Sequence, residues 1–217
     1  LAAERTGARD FGLRLAEARR LSNLGLVGLI GRDQPTLRQA IHMFGHYMWM
    51  HNESLTLHLQ EFDDIAIWQA NSPTIGGSRQ AMELAVGVMM RGLRSLLGTG
   101  WSPEAVHLRS PAPGDSAVAV RLFGVRPQHG STLDGIVIGR HLLDAPLQGA
   151  DPGMSNHVEQ MLHRLRPEQR RGWTAVVEEM VVLLLPTGRC SADRVASHLG
   201  VDRRTLHRWL VAEGTSF

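Results

Sequence analysis

The chain has 217 residues, 43% of them hydrophobic and 20% charged, with a formal net charge of +2 at pH 7. That length and apolar content suffice for one sizeable core plus an appendage, and a single cysteine, Cys190, excludes an internal disulfide framework and fits a reducing cytoplasm. All 23 basic residues are arginine, which excludes Schiff-base chemistry, a phosphate-loop lysine and a lysine general base within this sequence.

Residues 10–20 carry the period of a helix burying Phe11 and Leu15, and the glycine-rich stretch 24–31 follows. Residues 36–51 form a second helical pattern, with Leu37, Ile41 and Phe44 on one side. Alternation then takes over. Leu55, Leu57 and Leu59 point one way within residues 54–60, and residues 65–69 alternate again after the polar turn 61–64, which predicts a hairpin. Residues 78–97, capped by Gly76-Gly77-Ser78, are the longest helical pattern and apolar on much of the circumference, the mark of a helix buried against a sheet. Short strands are predicted at 105–109, 125–128 and 135–140, with a helix near 115–123. This order predicts an α+β domain over residues 1–150, an antiparallel sheet packed with helices.

Residues 151–188 read as a helical linker or dimerisation segment. Met154, Val158, Met161, Leu162 and Leu165 form one stripe, and Trp173, Val176, Val177, Met180, Val181 and Leu184 another. Each stripe fits packing inside the chain as well as a second subunit. The strongest apolar run, 180–185, is far too short to cross a bilayer, and no signal-peptide pattern opens the chain. Pro186-Thr187-Gly188 ends the second helix and marks a hinge.

Residues 189–217 read as an all-α helix-turn-helix unit. Ser191 is a good N-cap for a helix burying Val195 and Leu199, Gly200 supplies the turn, and Asp202 caps a second helix. On that helix Leu206 and Leu210 form the inward stripe, while Arg204, His207 and Arg208 share the opposite face. This geometry inserts a second helix into the major groove, where Arg donates bidentately to guanine and Arg203 or Thr205 holds phosphate. Spacing alone fits a corner of a helical bundle equally well. The charge placement leans towards DNA: the unit holds five Arg against Asp193, Asp202 and Glu213, so the whole excess of +2 sits there.

The unit resembles the first helix-turn-helix of the AraC/XylS family of bacterial transcription regulators. The match runs through Ser191, Val195-Ala196, Leu199-Gly200, Asp202, Arg204-Thr205-Leu206, Arg208-Trp209-Leu210 and the stretch from Glu213 to Phe217. By that resemblance Arg204, His207 and Arg208 face base edges, with Arg203 and Thr205 near the backbone; His207 departs from the Gln or Arg usual in the family. The family carries two such units joined by a long helix, so a chain ending at Phe217 and starting at Leu1 is expected to be a piece of a longer regulator. Earlier residues resemble the arabinose-binding-type amino-terminal domain of a subgroup that includes ornithine-utilisation and acid-response regulators. These are Phe11-Gly12-Leu13, Leu15-Ala16, Leu24-Gly25, Gly28, Thr36-Leu37-Arg38, the stretches 96–98, 111–113 and 142–147, Phe123-Gly124 and Asp151-Pro152. The resemblance implies a cytoplasmic homodimer that senses a small-molecule effector, binds double-stranded promoter DNA, and has no membrane role.

For the effector, the sequence nominates Tyr47, Trp49, Met50, His51, Trp68, Met89 and Met90, since pockets are mostly apolar and Met lends plasticity. Arg91 and Arg109 are candidates for an acidic or phosphate-bearing ligand. The same residues fit plain core or solvated surface. His42 and His46 share a helical face at i, i+4, but no carboxylate stands at ligand spacing and His51 falls off that face, so neither a metal nor a cofactor is expected. A small-molecule enzyme with a helical tail is the alternative. It requires a polar catalytic cluster that the sequence does not show.

Overall fold

The structure is a computed structural model that describes residues 5–72, 78–112, 117–151, 153–157, 173–185, 190–199 and 202–217. It divides into two compact units, Leu1–Met161 and Leu162–Phe217. In the first, helices α1 (Phe11–Ala18), α2 (Leu26–Arg32) and α3 (Leu37–Tyr47) lead into a hairpin of β1 (Thr56–Glu61) and β2 (Ile65–Asn71). Helix α4 (Arg79–Leu97), β3 (Ala105–Leu108), α5 (Ala117–Phe123), β4 (Gln128–His129) and β5 (Asp134–Gly139) follow. Thr36 caps α3, its side chain accepting from the Gln39 amide. Ser78 occupies the cap position of α4, but through its carbonyl, which accepts from the amides of Ala81 and Met82, and not through its hydroxyl; Gly76 and Gly77 lie outside the described residues.

The sheet order is β1-β2-β5-β3-β4. Strand β5 is central, one residue displaced from the strand expected at 135–140, and its six residues, Asp134 included, are all buried. Strand β1 lies at one edge, with Leu57 buried and Leu59 half-buried. Three pairings are antiparallel, and β3 pairs β4 in parallel, so the α+β sheet is mixed. A helix joins β3 to β4, the crossover that parallel neighbours need. The strand expected at 125–128 is only Gln128–His129, because Pro127 has no amide hydrogen for a ladder.

Helix α1 turns differently from the expectation. Gly12, Leu13 and Ala16 are buried, whereas Phe11 and Leu15 are half-buried. The cause is a close crossing with α4. A Cβ on Gly12 would lie 2.1 Å from the Gln80 carbonyl oxygen, and one on Gly87 would lie 2.5 Å from the Ala16 Cβ. The face without bulk is therefore the one that packs.

A buried polar cluster closes one end of the sheet onto α4. The Asp134 carboxylate accepts the Arg109 amide at 2.9 Å, and the Arg109 guanidinium reaches the Thr132 carbonyl at 2.9 Å and Asn71 Oδ1 at 3.4 Å. Glu83, 1% exposed, accepts the Ser110 hydroxyl at 3.0 Å and faces Arg79 at 3.6 Å. Burial pushes both Glu83 and Asp134 above the ordinary carboxylate range, against the pull of the neighbouring arginines.

In the second unit, α6 (Trp173–Leu184), α7 (Ala192–His198) and α8 (Arg203–Ala212) share one core. Val177, Met180 and Leu184 of α6 pack with Val195, Ala196, Leu206 and Leu210. Of the stripe that fitted either a partner subunit or internal packing, Val177, Met180 and Leu184 are thus buried within this unit, and Trp173, Val176 and Val181 are half-buried. Trp173 stacks on Trp209 with ring centroids 3.6 Å apart and planes 13° apart. Glu213, just past α8, accepts from the Trp173 amide at 2.6 Å and from the Thr174 amide and hydroxyl at 2.8 Å each, capping the start of α6. Val158, Leu162, Leu165 and the hinge 186–188 lie outside the described residues.

Two outcomes follow. Glu83 with its raised pKa makes the fold less stable as pH rises from 4.5 through the folded-state value, since the native state holds the extra proton. Glu83→Gln should match the parent near pH 4.5 and become the more stable of the two as pH increases, in denaturant titrations run across that range. Glu213→Ala should destabilise the second unit by about 1 kcal/mol, the usual worth of an N-cap, in thermal unfolding followed by the near-ultraviolet circular dichroism of the Trp pair.

Candidate functional site

The second unit presents a helix whose orientation is fixed from behind. Asp202 caps α8, its Oδ1 accepting the Thr205 amide at 2.7 Å, and these bonds hold the Asp202 carboxyl below its ordinary range. Leu206 and Leu210, each 1% exposed, lock one side into the core. Arg204, His207 and Arg208 are consequently exposed together along the other side, at three-and-four spacing. Arg203 is also exposed and pairs with Asp193 of α7 at 3.3 Å, a surface pair of small energetic weight. Thr205 is half-buried, and its hydroxyl donates to Asp202 Oδ2 at 3.2 Å. At the preceding helix, Ser191 Oγ accepts the Arg194 amide at 3.3 Å; Gly200 lies outside the described residues.

The first unit contains a cavity of about 180 Å³ between α3, the hairpin, α4 and the turn Leu21–Leu24. Its buried wall includes Phe44, Leu57, Trp68, Met82 and Met89, and Phe44 and Trp68 stack at 5.9 Å. Register places Trp68 opposite Leu59 on one side and Ile136 on the other, in mid-sheet. Arg19, Asn23 and His51 line the cavity from exposed positions, so its polar groups gather at the mouth.

Of the nine residues the sequence nominates for a ligand, the structure brings His51, Trp68 and Met89 to this cavity. Tyr47 and Met90 are packed in the core, while Trp49 and Met50 are exposed on the single turn after α3. Arg109 belongs to the polar cluster at the sheet end. Arg91 donates to the Arg19 carbonyl at 3.1 Å, bracing the backbone of a mouth residue. The leucines, Met48, Val88 and the asparagines of the cavity escaped sequence reasoning, since aliphatic and amide residues carry no signal separating a cavity wall from a core. His42 and His46 are exposed on α3, and among the described residues no group of three His, Cys, Asp or Glu is placed to hold a metal ion. Among them, too, no helix is long and apolar enough to cross a membrane.

These two features sit in a chain with clear relatives. The family model described as the arabinose-binding domain of AraC transcription regulators, N-terminal, matches residues 1–147. The HTH-type transcriptional regulator VirS of Mycobacterium tuberculosis is 30% identical over 213 residues, covering 94% of this chain and 62% of that protein, so this chain spans less than two thirds of that relative's length. The crystal structure of the transcriptional regulator CdpR from Pseudomonas aeruginosa matches with a TM-score of 0.60 and 21% identity, over 95% of this chain and 68% of that one, a likeness of fold. With the family model covering most of the first unit and a helix-turn-helix regulator aligned along nearly the whole chain, this protein belongs to the AraC family of transcription regulators and carries the arabinose-binding-type amino-terminal domain.

Proposed function

We propose that the first unit senses a small-molecule effector in the cavity behind Trp68, and that the second reads promoter DNA with α8. The observation that carries the DNA half is the shared exposure of Arg204, His207 and Arg208 on a helix whose other side is locked by Leu206 and Leu210. A fixed back and a basic front meet the geometric need of a recognition helix in the major groove. In this reading Arg204, His207 and Arg208 approach base edges, and Arg203 releases Asp193 to reach a phosphate. Thr205 contributes mainly by closing the cap, because its hydroxyl hydrogen is already engaged by Asp202.

The effector half is supported by the cavity, a mostly apolar hollow with polar groups at its mouth, the usual constitution of a small-molecule site. A ligand that binds one arrangement of the protein better than another shifts the populations of the two, and with them the fit of paired recognition helices to DNA. Pairing requires a dimer, which we assign to the segment containing Met154, Val158 and Leu162; Met154 is 47% exposed. That the relatives are transcription regulators argues against the enzyme alternative.

In the full-length protein, Arg208→Ala should cost about 1–3 kcal/mol of binding at one base position of the operator, measured by fluorescence anisotropy on single-substituted sites. A uniform loss across all sites would mark Arg208 as a phosphate contact instead. Val158→Asp combined with Leu162→Asp should halve the mass seen by sedimentation while leaving the circular dichroism intact; an unchanged mass places the interface elsewhere.

A further inference from the structure

The cavity of the first unit is apolar inside and polar only at its mouth, and the mouth is positive. Phe44, Leu57, Met82 and Met89 present carbon and sulfur to it, and the indole nitrogen of Trp68 is itself buried. The polar lining residues stand further out: Arg19, Asn23 and His51 are exposed and Asn52 is half-buried. No Asp or Glu is among the described residues that line the cavity. Its one permanent charge therefore belongs to Arg19, since a guanidinium stays protonated. Arg19 directly follows α1, and its carbonyl accepts from Arg91 at 3.1 Å, so a second cation braces the backbone that carries the first. Glu17, the carboxylate of α1 nearest to Arg19 in sequence, is already held by Arg121 at 2.7 and 2.9 Å. Among the described residues no carboxylate forms an ion pair with Arg19.

Three kinds of ligand separate on this arrangement. A sugar gives up water at every hydroxyl that enters the buried wall, where those side chains offer nothing in return. An amine brings a second cation to Arg19. A molecule with an apolar body and one carboxylate suits both regions, because the body covers the apolar wall while the carboxylate stays hydrated at the mouth, next to a cation that lacks a partner. Size adds a bound: an apolar cavity of about 150 Å³ accommodates benzene, so about 180 Å³ suits a body of one ring or a short chain.

We propose that this cavity takes a small monocarboxylate, its apolar body inward against Trp68 and Met89 and its carboxylate at the mouth beside Arg19. The biological meaning of that ligand rests on the effector-sensing reading, and its chemistry on the cavity alone.

Calorimetric titration of the 217-residue chain with four probes tests it: phenylacetate, phenylethanol, phenethylamine and L-arabinose. Phenylacetate should bind about two- to fivefold more tightly than phenylethanol, the span of one exposed ion pair, with phenethylamine weaker than both and L-arabinose weakest. Arg19→Gln keeps the carbonyl that Arg91 uses and removes the charge; it should lower the phenylacetate-to-phenethylamine affinity ratio about two- to tenfold. An unchanged ratio in that variant overturns the proposal. Ala85 lines the cavity on the face of α4 that carries Met82 and Met89, so Ala85→Leu should fill the space and weaken phenylacetate while circular dichroism stays that of the parent. Full binding by that folded variant puts the ligand elsewhere and overturns it. Should either variant fail to fold, the parent chain decides: added salt should shrink the same ratio, and a ratio that ignores salt overturns the proposal. Tightest binding by phenethylamine or L-arabinose overturns it too, as does no phenylacetate binding at millimolar concentration. Operator affinity of the full-length protein is read separately. Phenylacetate bound in the cavity without any change in that affinity supports the ligand class while defeating the sensing reading.

Discussion

Helix α4 has to bury apolar side chains around most of its circumference, and the first unit is organised by that requirement. Met82, Val86, Met89, Met90, Leu93 and Leu96 all need cover, and no single surface can supply it to a helix of 19 residues. The sheet takes one side. Helix α1 takes another at very short range, because Gly12, Ala16 and Gly87 allow the two backbones to approach. A third side, through Met82, Val88 and Met89, faces the turn Leu21–Leu24 and α3, and there the cover is incomplete. The cavity is thus what remains when three different partners surround one apolar rod.

The same helix explains the polar cluster at the sheet end. Glu83 lies among buried neighbours and is answered by Ser110 and Arg79, while Asp134 and Arg109 complete the closure from the strands. Two carboxyls with raised pKa values normally mark a functional site. Here Glu83 Oε1 accepts from Ser110 and Asp134 accepts the Arg109 amide, and the arrangement ties helix to sheet.

In the second unit, the two ends of the three-helix core secure each other. The chain beyond α8 returns Glu213 to the start of α6, and Trp209 of α8 stacks on Trp173. Residues just after the exposed helix therefore hold the helix that supports it from behind. This gives Glu213 a physical role that its place in a family motif does not reveal, and it makes α6 part of the core of this unit.

Much of this was legible in the sequence. The alternation at Leu57 and Leu59, the long helix α4 and the Ser191 and Asp202 caps follow from local chemistry, which acts within a few residues and leaves a periodic trace. The face of α1 was not legible: hydrophobic periodicity counts Phe11 and Leu15 and passes over Gly12, whose value is the absence of a side chain. Pro127 shortened β4 by removing a ladder donor, and the crossover through α5 set its direction. The cavity also depended on tertiary structure, which carried Trp68 and Met89 to one space while sending Tyr47 into the core and Trp49 to the surface. Sequence by itself determined the family, the element order apart from helix α2, which it read only as a glycine-rich stretch, and the basic strip of α8, because these rest on residue identity and near-neighbour spacing. Only the tertiary structure decided which apolar residues enclose a space and which fill one, because that depends on how closely distant backbones approach.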